Sequence, residues 1–196
     1  STTRPLRQAL AIPQKAKVTL AKLNRRTHPA TFIAVTGSSA KTTTTALLAH
    51  ILEGHAPTFR SVFSTSFKGV LRAVMLAPRR NRFAVLEVAA SIKGSVARLA
   101  HIVRPDVAIV TMVGLEHYSA FRSLEAVAEE KGHLVGAIRP GGFAVLNADD
   151  EHVLAMRGRT GERIVTFGKS EAADFRVLST DFAFPGPLSV RIAWAD

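Results

Sequence analysis

Apolar residues along this chain fall into two kinds of run. Short, unbroken stretches at 30–36, 83–89, 107–113 and 143–146 lack the alternation of a strand with one wet face, and they read as strands buried on both sides of a parallel sheet. Between them apolar positions recur at helical spacing. Leu47, Leu48, Ile51 and Leu52 stripe a helix over 42–54, with Gly54 as its stop. A second helical pattern covers 70–76 and ends at Pro78, a third covers 95–103 ahead of Pro105, and a fourth runs over 124–138 to the turn Pro140-Gly141-Gly142. A short strand and polar turn are expected at 60–67, and a short helix runs to Met156. Beyond it the apolar positions alternate, at 163–167, 174–180 and 188–194, which suits an antiparallel extension. Ahead of the first strand, 1–29 is a polar, basic lead-in with one predicted helix, 18–26, striped by Ala16, Leu20 and Leu23. The repeated β-α order predicts an α/β fold, a mostly parallel sheet covered by helices with an antiparallel C-terminal extension, and divides the chain into a lead-in 1–29 and a domain 30–196.

Composition narrows the classes. With 196 residues, 47% of them hydrophobic, the chain can bury one sizeable core. No apolar run reaches the roughly 18 residues of a membrane span, and Arg4, Pro5 and Arg7 interrupt any signal-like stretch, so a cytoplasmic protein is expected. The absence of cysteine excludes disulfides, thiolate catalysis and zinc ribbons. A net charge of +11 raises nucleic acid as a partner. The basic residues gather at Lys15, Lys17, Lys22, Arg25 and Arg26, at Arg79, Arg80 and Arg82, and at Arg157, Arg159 and Arg163, without interleaved aromatics to stack bases. A solvated basic surface, or a field that draws in anionic substrates, is the preferred reading.

Chemistry concentrates after the first strand, in Thr36-Gly37-Ser38-Ser39-Ala40-Lys41-Thr42-Thr43. A strand that turns through glycine and serine into a helix aims backbone N–H groups and the helix dipole at one point. Lys41 adds a full charge there, and the Thr42 hydroxyl can ligate Mg²⁺, so a nucleoside triphosphate is the expected guest. The pattern G-x-x-x-x-G-K-[ST] wants glycine where this chain has Val35 and Ala40. The other reading of the stretch is a strand-to-helix turn with an exposed lysine. Glu87 lies in an apolar strand, where a carboxylate needs a partner, a proton or a metal; otherwise it reaches solvent or a lysine at the strand end. His117, in the loop after the third buried strand, could bind a divalent ion or orient phosphate, or be an ordinary loop histidine, and Glu116 beside it reads as a surface group. Lys131 follows two glutamates on a helix, where a solvated i,i+4 partner is the usual role. Asp149 and Asp150 read as helix N-caps. Ser38 to Thr42, Glu87, His117 and Asn147 all fall toward the carboxyl ends of the strands, where such sheets bind ligands.

Together these pieces resemble a known family. Thr36 to Thr43, Leu86-Glu87-Val88-Ala89-Ala90-Ser91, Val103-Arg104-Pro105-Asp106, Gly114-Leu115-Glu116-His117, Glu130-Lys131-Gly132 and Leu146-Asn147-Ala148-Asp149-Asp150 come in the order and spacing of the central domain of the Mur ligases, most like the MurF branch. The resemblance covers about 30–180. It implies that Thr36, Gly37, Ser38, Ser39, Ala40, Lys41, Thr42 and Thr43 surround the phosphates of ATP, that Lys41 holds the β- and γ-phosphates, and that Asn147 meets the adenine. It implies Mg²⁺ on Thr42, Glu87 and His117, and at Lys131 a lysine that is often carbamylated and so can bind a second Mg²⁺. Lys41, His117 and Lys131 are then the catalytic set. The implied reaction activates a carboxylate as an acyl phosphate for attack by an amine. The implied partners are a carboxylate substrate such as a UDP-muramoyl peptide, an amine or amino acid, and flanking domains.

Three departures qualify the resemblance. Ala40 replaces a glycine whose positive φ or close phosphate approach alanine would resist. The segment 64–70 lacks the asparagines of the MurF substrate loop. The 29 residues before the first strand, and the end at Asp196, leave no room for the family's outer domains, which implies a fragment or a shortened relative. A ligase for another acid and amine, and a non-catalytic module that binds a partner, stay open beside the MurF-like reading.

Overall fold

A computed structural model describes residues 13–62, 66–89, 92–115, 121–183 and 186–194. In chain order its elements are α1 (Gln14–Thr27), β1 (Thr31–Thr36), α2 (Lys41–Glu53), β2 (Thr58–Ser61), α3 (Phe67–Leu76), β3 (Phe83–Glu87), α4 (Ser95–Val103), β4 (Val107–Val110), α5 (Leu124–Val135), β5 (Phe143–Asn147), α6 (Glu151–Ala155), a 3₁₀ turn Met156–Arg159, β6 (Arg163–Gly168), β7 (Phe175–Asp181) and β8 (Ser189–Trp194). The strands form one sheet in the order β2-β3-β1-β4-β5-β6-β7-β8. Strand β1 pairs in parallel with β3 on one side and β4 on the other. The connections leaving β1 and β3 therefore diverge beside the carboxyl end of β1, the switch point at which open α/β sheets form their binding crevice.

Both faces of the inner strands are buried, as their unbroken apolar runs require. Phe32, Ala34, Leu86, Ala108, Val110 and Leu146 face a thick layer that includes Ala21 of α1, Val70 and Val74 of α3, Leu99 and Val103 of α4 and Leu134 of α5. Ile33, Val35, Val85 and Val107 face the other way, onto α2. Burial of a Leu, Val or Phe side chain contributes about 1.5–3 kcal/mol each, so this double-sided core is the main support of the sheet.

Several expectations shift. The stripe of α2 is rotated, because Thr45 and Ala49 are the residues fully buried against the sheet. Leu48 and Leu52 pack only partly, while Leu47 and Ile51 are 57% and 60% exposed. Small side chains win the inner face by letting the helix approach closely. Helix α1 is longer than 18–26 and also rotated: Leu20 and Leu23 are exposed, while Ala21 and Arg25 are buried. Its packing is partly polar, with Asn24 Nδ2 donating to the Val74 carbonyl at 2.8 Å. The following His28 accepts the Ala30 N–H on Nδ1 at 3.1 Å, so its proton sits on Nε2, which faces the Ala77 carbonyl at 3.0 Å.

Strand β2 is earlier and shorter than 60–67, beginning just after Pro57, and Phe67 already lies in α3, where Ser66 Oγ accepts the Gly69 N–H. Helix α5 ends at Val135 with Gly136 as its C-cap, short of 138. Strand β4 leaves the sheet after Val110 because Thr111 and Met112 bend over the loop that follows β1. The antiparallel extension is present as β7 with β8, but 163–167 is not part of it. Strand β6 pairs in parallel with β5, since α6 and the 3₁₀ turn form a crossover long enough to return the chain in the same direction, and β7 joins β6 in parallel through two residue pairs.

Candidate functional site

The loop after β1 is fixed before any side chain reaches out from it. Gly37 has φ +147°, and a Cβ there would collide with Thr111 Oγ1, so only glycine fits. Thr111 Oγ1 donates to the Ser39 carbonyl at 2.7 Å. Ser38 donates its N–H to the Met112 carbonyl, and its hydroxyl both donates to the Gly114 carbonyl at 2.9 Å and accepts the Gly114 N–H at 2.8 Å. Two chain segments thus hold one turn. Thr111 was missed from the sequence; its only signal was a hydroxyl in an otherwise apolar run.

Ala40 follows with φ 62° and ψ 3°, the left-handed conformation for which the general pattern uses glycine. The alanine therefore keeps the turn's shape, and its cost is strain rather than a different loop. It sits at the N-cap of α2, and no side chain caps the amides that open this 13-residue helix. Such a terminus favours an anion. Lys41 folds over the loop, its Nζ donating to the Gly37 carbonyl at 2.7 Å and the Ser38 carbonyl at 3.3 Å, which stations the charge at the loop mouth. Thr36 is fully buried at the end of β1, and Thr43 lies in the first turn of α2.

Thr42 and Glu87 meet. The Thr42 hydroxyl lies 2.9 Å from Glu87 Oε1 and 3.0 Å from Oε2. Glu87 is only 4% exposed at the last residue of β3, so the reading in which it reaches solvent fails. Lys131 is fully buried in α5, which rules out the solvated i,i+4 role. Its neighbour Glu130 is also buried and accepts the N–H groups of Gly94 and Val96, each at 2.7 Å, and so caps α4 from α5. His117 and Glu116 lie outside the described residues, as do Ser64 and Thr65. Among the described residues no three His, Asp or Glu side chains converge on one point.

Asn147, at the end of β5, is turned inward. Its Nδ2 donates to the Thr111 carbonyl at 2.9 Å and its Oδ1 accepts the Asp149 N–H at 2.9 Å. Asp150 is the N-cap of α6, accepting the Val153 N–H at 3.1 Å, and its other oxygen accepts the Val113 N–H at 2.7 Å, tying α6 to the loop after β4. Asp149 is no cap. Its carboxylate accepts the N–H groups of Lys169 and Ser170, clasping the turn after β6. Loop 37–42, Glu87, Thr111 and Asn147 therefore share the carboxyl edge of adjacent strands.

The sequence profile of the Mur ligase middle domain matches residues 35–183. The UDP-N-acetylmuramoyl-tripeptide--D-alanyl-D-alanine ligase of Mycobacterium tuberculosis is 38% identical over 164 residues, which are 82% of this chain and 30% of that ligase. The ligase of the same name from Escherichia coli is 29% identical over 83% of this chain and 36% of its own length. Among solved structures, MurF from Acinetobacter baumannii matches with a TM-score of 0.85 at 25% identity, over 94% of this chain and 41% of that one. The MurF ligase from Thermotoga maritima in complex with ADP gives 0.81 at 28% identity, over 93% and 43%. This chain thus spans about a third of the length of the curated ligases it matches. Profile, relatives and fold agree that the chain belongs to the Mur ligase middle domain family.

Proposed function

We propose that this chain is the nucleotide-binding centre of a MurF-like, ATP-dependent amide ligase, with loop 36–43 around the phosphates and Thr42 and Glu87 on Mg²⁺. The contact between the Thr42 hydroxyl and the Glu87 carboxylate carries the reading. Two hard oxygen ligands, one at a helix N-terminus and one in a buried strand, suit Mg²⁺ shared with phosphates. Gly37, which admits no side chain, and the uncapped start of α2 fit a phosphate group as well.

Bound Mg-ATP would supply the phosphoryl group that turns the acid's carboxylate into an acyl phosphate, from which the amine displaces phosphate. Lys41 contributes a fixed positive charge at the loop mouth, and the first amides of α2 add partial charges beside it. Asn147 spends one N–H on Thr111 and keeps its second for the adenine. Buried Lys131 is assigned the role of a carbamylated ligand to a second Mg²⁺, and His117 a metal or phosphate contact. The acid and the amine would be those in the relatives' name, a UDP-N-acetylmuramoyl-tripeptide and D-alanyl-D-alanine. Their recognition is placed in the part of such ligases outside the third that this chain spans. Among the described residues no helix is long and apolar enough to cross a membrane, and the proposed site of action is the cytoplasm.

Calorimetric titration with a non-hydrolysable ATP analogue, with and without Mg²⁺, tests the reading. Micromolar, Mg²⁺-dependent binding is expected. Lys41→Ala should lose it with the circular dichroism spectrum unchanged, and Glu87→Ala should chiefly lose the Mg²⁺ dependence. Unaltered Mg-nucleotide affinity in both variants removes the assignment.

A further inference from the structure

The amino edge of the sheet, opposite the loop after β1, carries a second concave site. This cavity of about 630 Å³ is lined by Lys22, Arg25, Arg26, His101, Arg104 and Arg139, together with the backbone turn leading to Pro140. The basic residues come from α1, from the end of α4 and from the turn before β5, segments distant in sequence that meet where the parallel strands begin. Five permanently cationic side chains line the cavity, and Asp106, whose carboxylate pairs with two of them, leaves an excess of four positive charges. Asp106 pairs with Arg25 at 2.6 Å and with Arg139 at 3.6 Å, and it also accepts the Phe32 N–H at 2.7 Å.

Arg25 is 1% exposed. Its Nε donates to the Val103 carbonyl at 2.6 Å and its Nη2 to the Arg104 carbonyl at 2.7 Å, while the guanidinium lies 4.3 Å from the Phe32 ring centroid. Its Nη1 is equally buried and has no hydrogen-bond partner among the described residues. Burial lowers the Arg25 pKa to about 10 against the opposing pull of Asp106, and Arg139 and Arg104 add repulsion. The group is still charged at neutral pH, so the cavity holds a desolvated cation with one donor unspent. Arg104, whose carbonyl serves Arg25, caps α4 at φ 39°, a conformation that favours glycine.

We propose that this cavity binds a small anion bearing two or more phosphate groups, held by Arg104, Arg139, Arg26 and Lys22, with the buried Arg25 guanidinium adding its charge from the wall behind them. The planar guanidinium fork matches phosphate oxygens, and only a multiply charged anion offsets the excess of four. The volume is that of a small-molecule pocket. Apart from His101 the lining has no ring on which to stack bases, which weighs against single-stranded nucleic acid. This site is separate from the nucleotide loop and stands whether or not the loop binds ATP.

The probe is inorganic pyrophosphate, titrated into the chain and into its Lys41→Ala variant while arginine Nε–H and backbone amide signals are followed by NMR. Saturable shifts at Arg25, Arg104 and Arg139 are expected in both proteins, and sulfate at matched ionic strength should bind more weakly. Arg139→Gln should lower the affinity about tenfold, the loss of one charge-assisted hydrogen bond. Arg104→Gly should raise Tm by relieving the left-handed backbone yet weaken pyrophosphate binding, an opposition that a purely structural role does not produce. Shifts confined to 37–42, shifts equal for sulfate and pyrophosphate, or tight binding of an oligonucleotide without binding of pyrophosphate would each overturn the proposal.

Discussion

Ala40 holds a backbone conformation at φ 62° that costs a non-glycine residue roughly 1–2 kcal/mol. Ala40→Gly should therefore raise unfolding stability by about 1 kcal/mol, less the extra chain entropy of glycine. Urea titration reads this, and a glycine variant that is less stable than the wild type would mean the loop does not strain alanine. Asp174 offers a pH-dependent check. The Thr166 hydroxyl at 2.8 Å and the Thr166 N–H at 2.7 Å hold its carboxyl below the usual carboxylate range. A depressed folded-state pKa contributes stability above the unfolded pKa, and that contribution is lost as pH falls through the folded value. Thr166→Val should raise the Asp174 pKa and move acid unfolding to higher pH, both visible in a carboxyl NMR titration. At this scale the sequence exposed residues that broke a local rule: Glu87 in an apolar run and a hydroxyl after Lys41. It hid those whose partners are far along the chain, such as Asp149 clasping Lys169 and Ser170.

Each helix was legible as a helix, but its buried face was not. Apolar spacing pointed to Leu47, Leu48, Ile51 and Leu52 on α2 and to Leu20 and Leu23 on α1; the sheet instead took Thr45 with Ala49, with Leu48 and Leu52 only partly packed, and helices α3 and α4 took the α1 face of Ala21 and Arg25. Close approach rewards small side chains, and a buried arginine satisfied by carbonyls and Asp106 has no hydrophobic signature. Parallel pairing of β6 was obscured for a related reason: it is only partly buried, so it alternates like an antiparallel strand. Element junctions show the same long-range logic. Glu130, on α5, supplies the cap that the nine-residue α4 lacks at Gly94, with acceptor contacts to Gly94, Ser95 and Val96. Glu130→Ala should cost about 2 kcal/mol by leaving buried donors unmet, and Glu130→Gln less. Amide exchange at 94–96 should accelerate in step with that loss; unchanged protection there would show that α4 holds its start without the carboxylate.

The sheet as a whole is graded from centre to edge. Strands β1, β3 and β4 have helices on both faces and pair along most of their length. Strand β7 meets β6 through two residue pairs, Phe167 with Phe175 and Gly168 with Arg176, and every described residue of β8 is exposed. One face of this hairpin pairs Phe175 with Trp194, Val177 with Ile192 and Thr180 with Val190, without a covering layer among the described residues. Local opening is governed by the apolar contacts an element loses, not by its internal hydrogen bonds. The β7–β8 hairpin should therefore open independently, with little burial to oppose it, while Phe32 to Val35 exchange only through global unfolding. Native-state hydrogen exchange under mild denaturant separates the two: hairpin amides should show small, nearly denaturant-independent opening energies, and β1 amides should converge on the global value. Since Gly37, Glu87 and Thr111 hang from the ends of the central strands and Thr42 from the helix packed on them, loop 37–42 should stay assembled when the hairpin opens. Equal protection of hairpin and β1 would mean that the molecule unfolds as one unit and that the site's rigidity depends on its far edge.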